Sequence, residues 1–284
     1  MGRGPGLVTL HVWRVPGRRV GAALGRVAVD RFAVRRAPGA LFAKVLGTGA
    51  GRTFSPREAR PDRWALLVAW ARAADAAAFE HSRVARRWAA LAHEQWRLDM
   101  VPIAAHGRWS RRQPFAPPAP AAGSTPPRAG HPPGTPGSAA APAGSAAARP
   151  GSAAAPAGGG AGDGVVAVLT RARVRVRRVR EFWAAVPAVA AALQGRPGLL
   201  FAAGVGEAPL GVQGTFSVWR SAAEVRAFAY EGAEHAAVIG AAGTRGWYAE
   251  ELFARFAVVG STGTVDGHDP LAGTGWGEYA AAAR

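Results

Sequence analysis

The sequence predicts an α+β fold, in which two tandem ferredoxin-like halves form one α/β barrel and a disordered linker joins them. Segments typical of strands and helices occur in the order strand, helix, strand, strand, helix, strand on both sides of a compositionally biased centre, and this order is ferredoxin-like. The sequence PGALFA at 38–43 recurs as PGLLFA at 197–202, each 19 residues after the Arg of an Arg-Val pair. Such a repeat predicts two copies of one unit, whose sheets can close a barrel.

Each element of the repeated unit has its own pattern. The first strand alternates β-branched with polar residues, a helical stretch follows, and Pro-Gly marks the turn into the second strand. The third strand ends in the related phrases VAW and SVW. In the first half we predict a strand at 7–15, a helix at 21–35, a strand that contains Phe42, a strand that ends at Trp70 and a last strand at 100–106. The corresponding elements of the second half are a strand at 165–176, a helix at 179–194, a strand that contains Phe201, a strand that ends at Trp219 and a last strand at 253–259.

Ser221 and Glu224 predict where the helix after Trp219 begins. Ser followed three residues later by Glu is the capping-box pattern, in which the Ser side chain accepts from a free helix amide while Glu reaches back. We therefore expect a helix to start directly after this strand.

Composition divides the chain into four parts. Residues 116–162 are almost only Pro, Ala, Gly, Ser and Thr, with no large apolar side chain. Such a segment cannot bury enough surface to offset its ordering entropy, so it is predicted to be a flexible tether. The predicted boundaries are 7–113 for the N-terminal half, 114–164 for the linker, 165–271 for the C-terminal half and 272–284 for a flexible tail.

The residue types present exclude several kinds of site. The chain has 284 residues and no cysteine, which excludes disulfides, thiolate metal sites, iron–sulfur clusters and thiolate-ligated haem. Its two methionines are Met1 and Met100. No apolar run approaches the roughly 18 residues that span a bilayer, and the N-terminus lacks the apolar region of a signal peptide. A cytoplasmic protein is therefore expected.

The formal net charge of +17 is compatible with an anionic partner. Lys44 is the only lysine, however, and the arginines are spread over both halves beside abundant alanine, glycine and proline. This pattern favours a coding bias towards GC-rich codons over a nucleic-acid interface.

Motifs of common enzymes are missing or incomplete. No Walker loop, Gly-x-Ser-x-Gly elbow or His-Glu-x-x-His occurs, and the glycines at 47–51 lack the spacing of a dinucleotide fingerprint, so we expect a plain loop there. Among the histidines, His93 is expected to be a partly exposed helix residue, His268 a loop residue and His11 a half-buried structural residue on a strand. His235 is followed by apolar residues at i+3, i+4 and i+7, which favours an inward-facing core histidine over a ligand.

Several longer phrases resemble the spheroidene monooxygenase family, over nearly all of both halves and in the family's order. They are PGALFAKVLGTGAG at 38–51, FSP at 54–56, GRWS at 107–110 with PF at 114–115, FSVW at 216–219, RGWYAEELFARF at 245–256 with His235 ten residues upstream, and DPL at 269–271. The junction VWRS at 218–221 is also similar to that of antibiotic-biosynthesis-type monooxygenases and haem-degrading oxygenases. The haem-degrading relatives carry an axial histidine on the helix after this junction.

This resemblance implies a haem-dependent monooxygenase that inserts a keto group into an acyclic carotenoid with O2. It reverses the preference for His235, which becomes the expected axial ligand, since the chain offers no cysteine for that role. Arg245 and Arg255 would pair with the haem propionates, and Trp219 and Trp247 would wall the pocket. The expected partners are a lipophilic carotenoid, a ferredoxin-type electron donor and the inner face of the membrane as a peripheral contact, with no nucleic acid.

Two other functions stay open at this level. The same barrel could serve a cofactor-free or haem-degrading oxygenase, because fold does not determine function. A basic, non-enzymatic protein that binds nucleic acid or an anionic membrane would also carry this charge.

Overall fold

The fold, given by a computed structural model, is a closed antiparallel barrel of eight strands with α-helices on its outside. The structure describes residues 4–50, 58–117, 164–207, 212–231, 248–274 and 276. The strands follow one another around the barrel in the order β1-β3-β2-β6-β7-β5-β8-β4. The α+β class expected from the sequence is confirmed.

The elements of the N-terminal part run up to Gly107. They are β1 Leu7–Arg14, α1 Val20–Ala33, β2 Ala40–Gly49, β3 Ala59–Trp70, α2 Ala73–Glu80, α3 Arg83–Leu91 and β4 Glu94–Gly107. The elements of the C-terminal part are β5 Val166–Val174, α4 Val179–Leu193, β6 Leu199–Gly206, β7 Val212–Trp219, α5 Ala222–Glu231 and β8 Tyr248–Gly263.

Two strand pairs of unequal length close the barrel. β2 and β6 share only three register pairs, from Gly47↔Gly206 to Gly49↔Gly204. β4 and β8 pair along most of their length, from Trp96↔Gly263 to Gly107↔Leu252. The β4–β8 pair is therefore the main connection between the N-terminal and C-terminal strands.

Inward-facing side chains fill the barrel. Alternate residues of every strand point inward, as the two-residue period of a strand requires. The aromatic members of this buried cluster are Phe42, Trp96, Trp109, Phe115, Phe216 and Phe256. The barrel interior is therefore a packed core, and a ligand site is to be sought on its outer surface or at its ends.

A second layer of core lies between the first strands and helices α1 to α3. Trp13 stacks on Trp88 of α3 with ring centroids 5.2 Å apart, and Trp70 packs on Phe79 of α2 at 5.2 Å. Trp70 Nε1 also donates to the buried Thr9 Oγ1 at 2.9 Å. This aromatic layer anchors the helices because each aromatic residue buries a large apolar area.

A buried arginine closes each end of the barrel. The Arg63 side chain is 2% exposed and donates to Thr48 Oγ1 at 3.0 Å, Gly49 O at 2.7 Å and Asp266 Oδ2 at 2.8 Å. At the other end Arg171, also 2% exposed, donates to Glu250. Arg63 donates three hydrogen bonds, which offset its desolvation, whereas Arg171 keeps Nε and Nη2 shielded from solvent without hydrogen-bond partners.

Several expectations from the sequence were wrong in detail. β4 begins at Glu94 and β8 at Tyr248, earlier than expected, because polar residues on the outward face hid the start of each strand. Gly47 and Gly49 belong to strand β2 rather than to a loop. His93 is exposed in the turn after α3, since that helix already ends at Leu91.

The described residues include only part of the predicted linker and tail. Residues 118–163 and 277–284 lie outside the described residues. Phe115, which the sequence assigns to the linker, is buried in the barrel core, and Trp276 of the predicted tail packs against that core. Both aromatic residues thus add to the buried apolar area, although the residues that flank them in the sequence are typical of a linker or tail.

A search of the described helices finds none long and apolar enough to cross a membrane.

Gly263→Ala is expected to destabilise the protein far more than Gly267→Ala. Both glycines have positive φ, 90° and 84°, so both substitutions carry backbone strain of about 1–3 kcal/mol. A Cβ at Gly263 would also lie 2.2 Å from the carbonyl oxygen of Gln95, whereas at Gly267 it would meet no atom within 4 Å. Denaturant unfolding would measure the difference, and equal losses would contradict tight β4–β8 packing.

Candidate functional site

The candidate site is the outer face of the C-terminal strands, formed by outward-facing residues of β7, β5 and β8. On β8 the residues Leu252, Ala254 and Phe256 are buried in the barrel, so Phe253 and Arg255 point outward. Register pairs place the outward residues in rows across the three strands: Thr215–Thr170–Phe253, Ser217–Val168–Arg255 and Trp219–Val166–Ala257. We call these nine residues the outer face.

Arg255 is the unusual residue of the outer face. Its side chain is partly buried, and its Nε is shielded from solvent with no hydrogen-bond partner. No carboxylate among the described residues forms an ion pair with it. An unpaired, shielded Nε costs free energy, so this partly buried guanidinium suits an external acidic group.

At the corresponding positions of β4, the charges are balanced by other residues of the same chain. Counted back from the glycine that ends each strand, Arg97 and Asp99 occupy the positions of Phe253 and Arg255. Arg97 Nε donates to Asp99 Oδ1 at 2.7 Å, and its Nη1 lies 3.0 Å from Glu80 Oε1. The outer face of β8 therefore carries a phenylalanine and a lone cation where β4 carries a complete ion-pair network.

Trp219 lies on the same face as Arg255, with β5 between them. It is almost fully buried, its Nε1 donates to Ser217 Oγ at 2.9 Å, and its ring packs on Phe228 of α5 at 5.3 Å. The capping Ser221 Oγ accepts from Glu224 N at 3.3 Å, which starts α5 over this tryptophan as the sequence predicts. Trp219 thus forms part of the apolar floor between sheet and helix.

The other three predicted site residues, His235, Arg245 and Trp247, lie outside the described residues. They belong to the segment 232–247, which connects α5 to β8 and thus joins two elements of the candidate site.

The structure describes the surroundings of two alternative ligands, His11 and Tyr248. His11 is fully buried between Trp13 and Phe79, and its Nε2 lies 2.8 Å from Glu80 Oε1, so it is a structural residue. Burial, with a contribution from Glu251, raises the pKa of Tyr248, which favours its neutral form. Within the described ranges no three His, Asp or Glu side chains are grouped as a metal site.

Sequence reasoning missed a polar cluster at one end of the barrel. Lys44 pairs with Glu207, which accepts from Trp109 Nε1 at 2.5 Å, while Arg171 pairs with Glu250. Glu250 is partly desolvated, but hydrogen bonds from the Arg111 amide and from Arg171 keep its pKa below the usual value. Two cations balance two carboxylates, so the cluster closes the barrel as Arg63 does opposite. The sequence signals for it were the lone lysine and the phrases that contain Trp109 and Glu250.

Comparison with known proteins adds independent information. The chain is 31% identical over 252 residues to a spheroidene monooxygenase of Rhodobacter capsulatus, covering 88% of each chain. It is 28% identical over 250 residues to the spheroidene monooxygenase of Cereibacter sphaeroides, covering 87% of this chain and 65% of that protein's length. No model of a known protein family matches the chain.

A solved aldoxime dehydratase has a similar fold, with a TM-score of 0.51 at 12% identity over 89% of this chain and 80% of that one. This likeness concerns the architecture alone. The sequence identity and coverage of the first comparison decide the family: the chain belongs to the spheroidene monooxygenase family.

Proposed function

We propose that the protein is a haem-dependent monooxygenase that uses O2 to insert a keto group into an acyclic carotenoid. The family membership supports the reaction class, and the name of its relatives supports a carotenoid substrate. The observation that carries the cofactor proposal is Arg255, whose Nε is shielded and unpaired and which lies beside the exposed Phe253. Haem would complement such a face, because it combines a flat apolar ring system with two carboxylates.

The residues present fit this group chemically. The propionates of haem are acceptors for a guanidinium, and Arg255 supplies one whose Nε is unpaired. Phe253, 39% exposed, supplies apolar surface beside Arg255, while Val168 and Trp219 pack beneath α4 and α5. Sulfur ligation has little support, because the chain has no cysteine and Met100 is fully buried inside the barrel. Histidine or tyrosine remains.

We assign His235 as the axial ligand, on the basis of the family resemblance and its place between α5 and β8. Arg245 would join Arg255 at the propionates, and Trp247 would join Trp219 as a pocket wall. Haem, when bound, supplies the activation of O2. The protein's own residues would orient the polyene against the apolar outer face and keep water away from the reacting carbon.

The remaining partners follow from the reaction. A monooxygenase of this kind needs an electron donor, and a carrier of the ferredoxin type, being acidic, would complement a chain of net charge +17. The carotenoid is dissolved in membrane, so we propose a cytoplasmic protein that works against the inner face of the membrane, with no role for nucleic acid.

We also infer that the barrel consists of two tandem halves, 7–113 and 165–271. Gly39 has a φ of 75° and packs against Asp75 in the first turn of α2. Gly198 has a φ of 79° and packs against Glu224 in the first turn of α5. In both halves the glycine of a Pro-Gly turn contacts an acidic residue in the first turn of a helix. This shared arrangement supports duplication of one unit.

Removing the tether is expected to leave the fold intact. Deletion of residues 120–160 takes away no large apolar side chain, so the melting temperature should change by only a few degrees. Thermal unfolding of the shortened and full-length chains would measure this. Aggregation of the shortened chain on expression would mean that the segment contributes to folding.

Reconstitution with haemin is expected to give a Soret band that His235→Ala abolishes. Loss of an axial ligand removes cofactor binding more than packing, so the apoprotein should melt near the wild-type temperature. His268→Ala is the matched control, because His268 is exposed in a turn. A His235 variant with a normal Soret band and a lower melting temperature would make this histidine structural and direct the search to Tyr230 or Tyr248.

Arg255→Met is expected to weaken haem binding without harming the apoprotein. A charge-assisted hydrogen bond contributes about 1.5–3 kcal/mol, so haem affinity should fall roughly 10- to 100-fold. The apoprotein should roughly keep its stability, because a partly buried side chain with an unpaired Nε is replaced by an apolar chain of similar length. Arg173→Met, at an exposed position of β5, controls for loss of charge. Titration with haemin and thermal unfolding separate the two effects.

A further inference from the structure

Helix α1 exposes large apolar side chains to solvent. Leu24 is 51% exposed, Val29 63% and Phe32 47%. The other exposed residues on this side of the helix are small and apolar, namely Gly21, Ala22, Gly25 and Ala28. At 100° per residue these seven positions form one continuous stripe, which we call the α1 outer face.

The side of α1 that faces the sheet carries a charge instead. Asp30 is 1% exposed there, and its Oδ2 is shielded from solvent without a hydrogen-bond partner. Burial raises the pKa of Asp30, and the nearby Arg26 only partly opposes this. Besides its apolar inward residues Val20, Ala23 and Val27, the helix therefore buries an acidic side chain and exposes large apolar ones, a partial reversal of the usual arrangement for a helix on a globular protein.

The neighbouring helix α3 shows that this reversal is particular to α1. α3 packs Ala85 and Trp88 inward and exposes Arg83, Arg86 and Arg87. It belongs to the same outer layer and contacts α1, yet it has the ordinary polar exterior. Exposure of apolar residues on α1 is thus not a general feature of this layer.

Arginines surround the α1 outer face. Arg18 precedes the helix, Arg35 and Arg36 follow it, and all three are exposed. Arg31 lies within the helix, with its guanidinium carbon 4.6 Å from the centre of the Phe32 ring. The only acidic residue between 17 and 41 is the buried Asp30, so the exposed charge here is entirely positive.

We propose that the α1 outer face docks on an anionic lipid bilayer, with Leu24, Val29 and Phe32 inserted at the boundary of headgroups and acyl chains and the flanking arginines on the lipid phosphates. An apolar stripe bordered by cations is the chemistry of helices that lie in a membrane interface. Basic residues at such a surface add attraction that salt weakens. The proposal does not rest on haem or on turnover.

Vesicle binding tests the docking surface directly. The full-length protein should bind vesicles of mixed phosphatidylglycerol and phosphatidylcholine, and bind much less to phosphatidylcholine alone or at high salt. The triple variant L24S/V29S/F32S should lower the partition coefficient about 100-fold. Each of the three apolar side chains, half buried in the bilayer, is expected to raise that coefficient by roughly tenfold or less. The variant R35Q/R36Q should lower it about 30-fold.

The variant R220Q/R226Q is the matched control for charge. It removes two exposed arginines from the C-terminal half, so its binding should stay within a few-fold of wild type. All variants should keep the wild-type melting temperature, because the changed residues are exposed. The proposal is overturned if the triple serine variant binds vesicles like wild type, or if R220Q/R226Q weakens binding as much as R35Q/R36Q.

Sedimentation of the protein without lipid tests the other occupant, a second copy of the chain. A dimer that the L24S/V29S/F32S substitutions convert to a monomer would overturn the lipid proposal, whereas a wild-type monomer supports it. Neither assay needs cofactor or substrate, so failure of the docking proposal and failure of the haem proposal are distinguishable.

Discussion

The pairing of β4 with β8 is the constraint on which the rest of the structure depends. It closes the barrel over eleven register pairs, and it requires glycine where each strand ends. A Cβ at Gly107 would lie 2.2 Å from the Glu251 carbonyl oxygen, and one at Gly263 equally close to that of Gln95. The glycine that ends each strand lies against the first residues of the other strand. This close contact sets the register between β4 and β8, and the register determines which residues, including Arg255, face outward.

The two strands use their outward faces differently. Arg97, Asp99 and Glu80 on the N-terminal side satisfy one another, and this network stabilises a closed layer. Phe253 and Arg255 on the C-terminal side leave a cation unpaired beside apolar surface. Evolution usually removes such a cost unless a ligand offsets it, which is why the outer face of β8, and not that of β4, supports the proposed cofactor site.

A second departure from ordinary packing occurs on α1, where Asp30 is buried and Leu24, Val29 and Phe32 are exposed. The unpaired Arg255 and the exposed apolar side chains of α1 have one property in common. Each could be satisfied by a partner from outside the chain. Arg255 suits an acidic, flat and apolar cofactor, and the α1 outer face suits a bilayer in which a carotenoid is dissolved. Under the proposed function, they would together connect a lipophilic substrate with chemistry on the barrel surface.

The sequence by itself determined the α+β class, the strand ends at Trp70 and Trp219 and the helix start at Ser221, because these depend on local periodicity and capping. It also carried the family resemblance. Tertiary structure alone decided that Gly47 and Gly49 lie in a strand, that Phe115 fills the barrel and that Arg255 lacks a partner. Those properties depend on residues brought together from distant segments by strand pairing, and no local pattern encodes which side chains then remain unpaired.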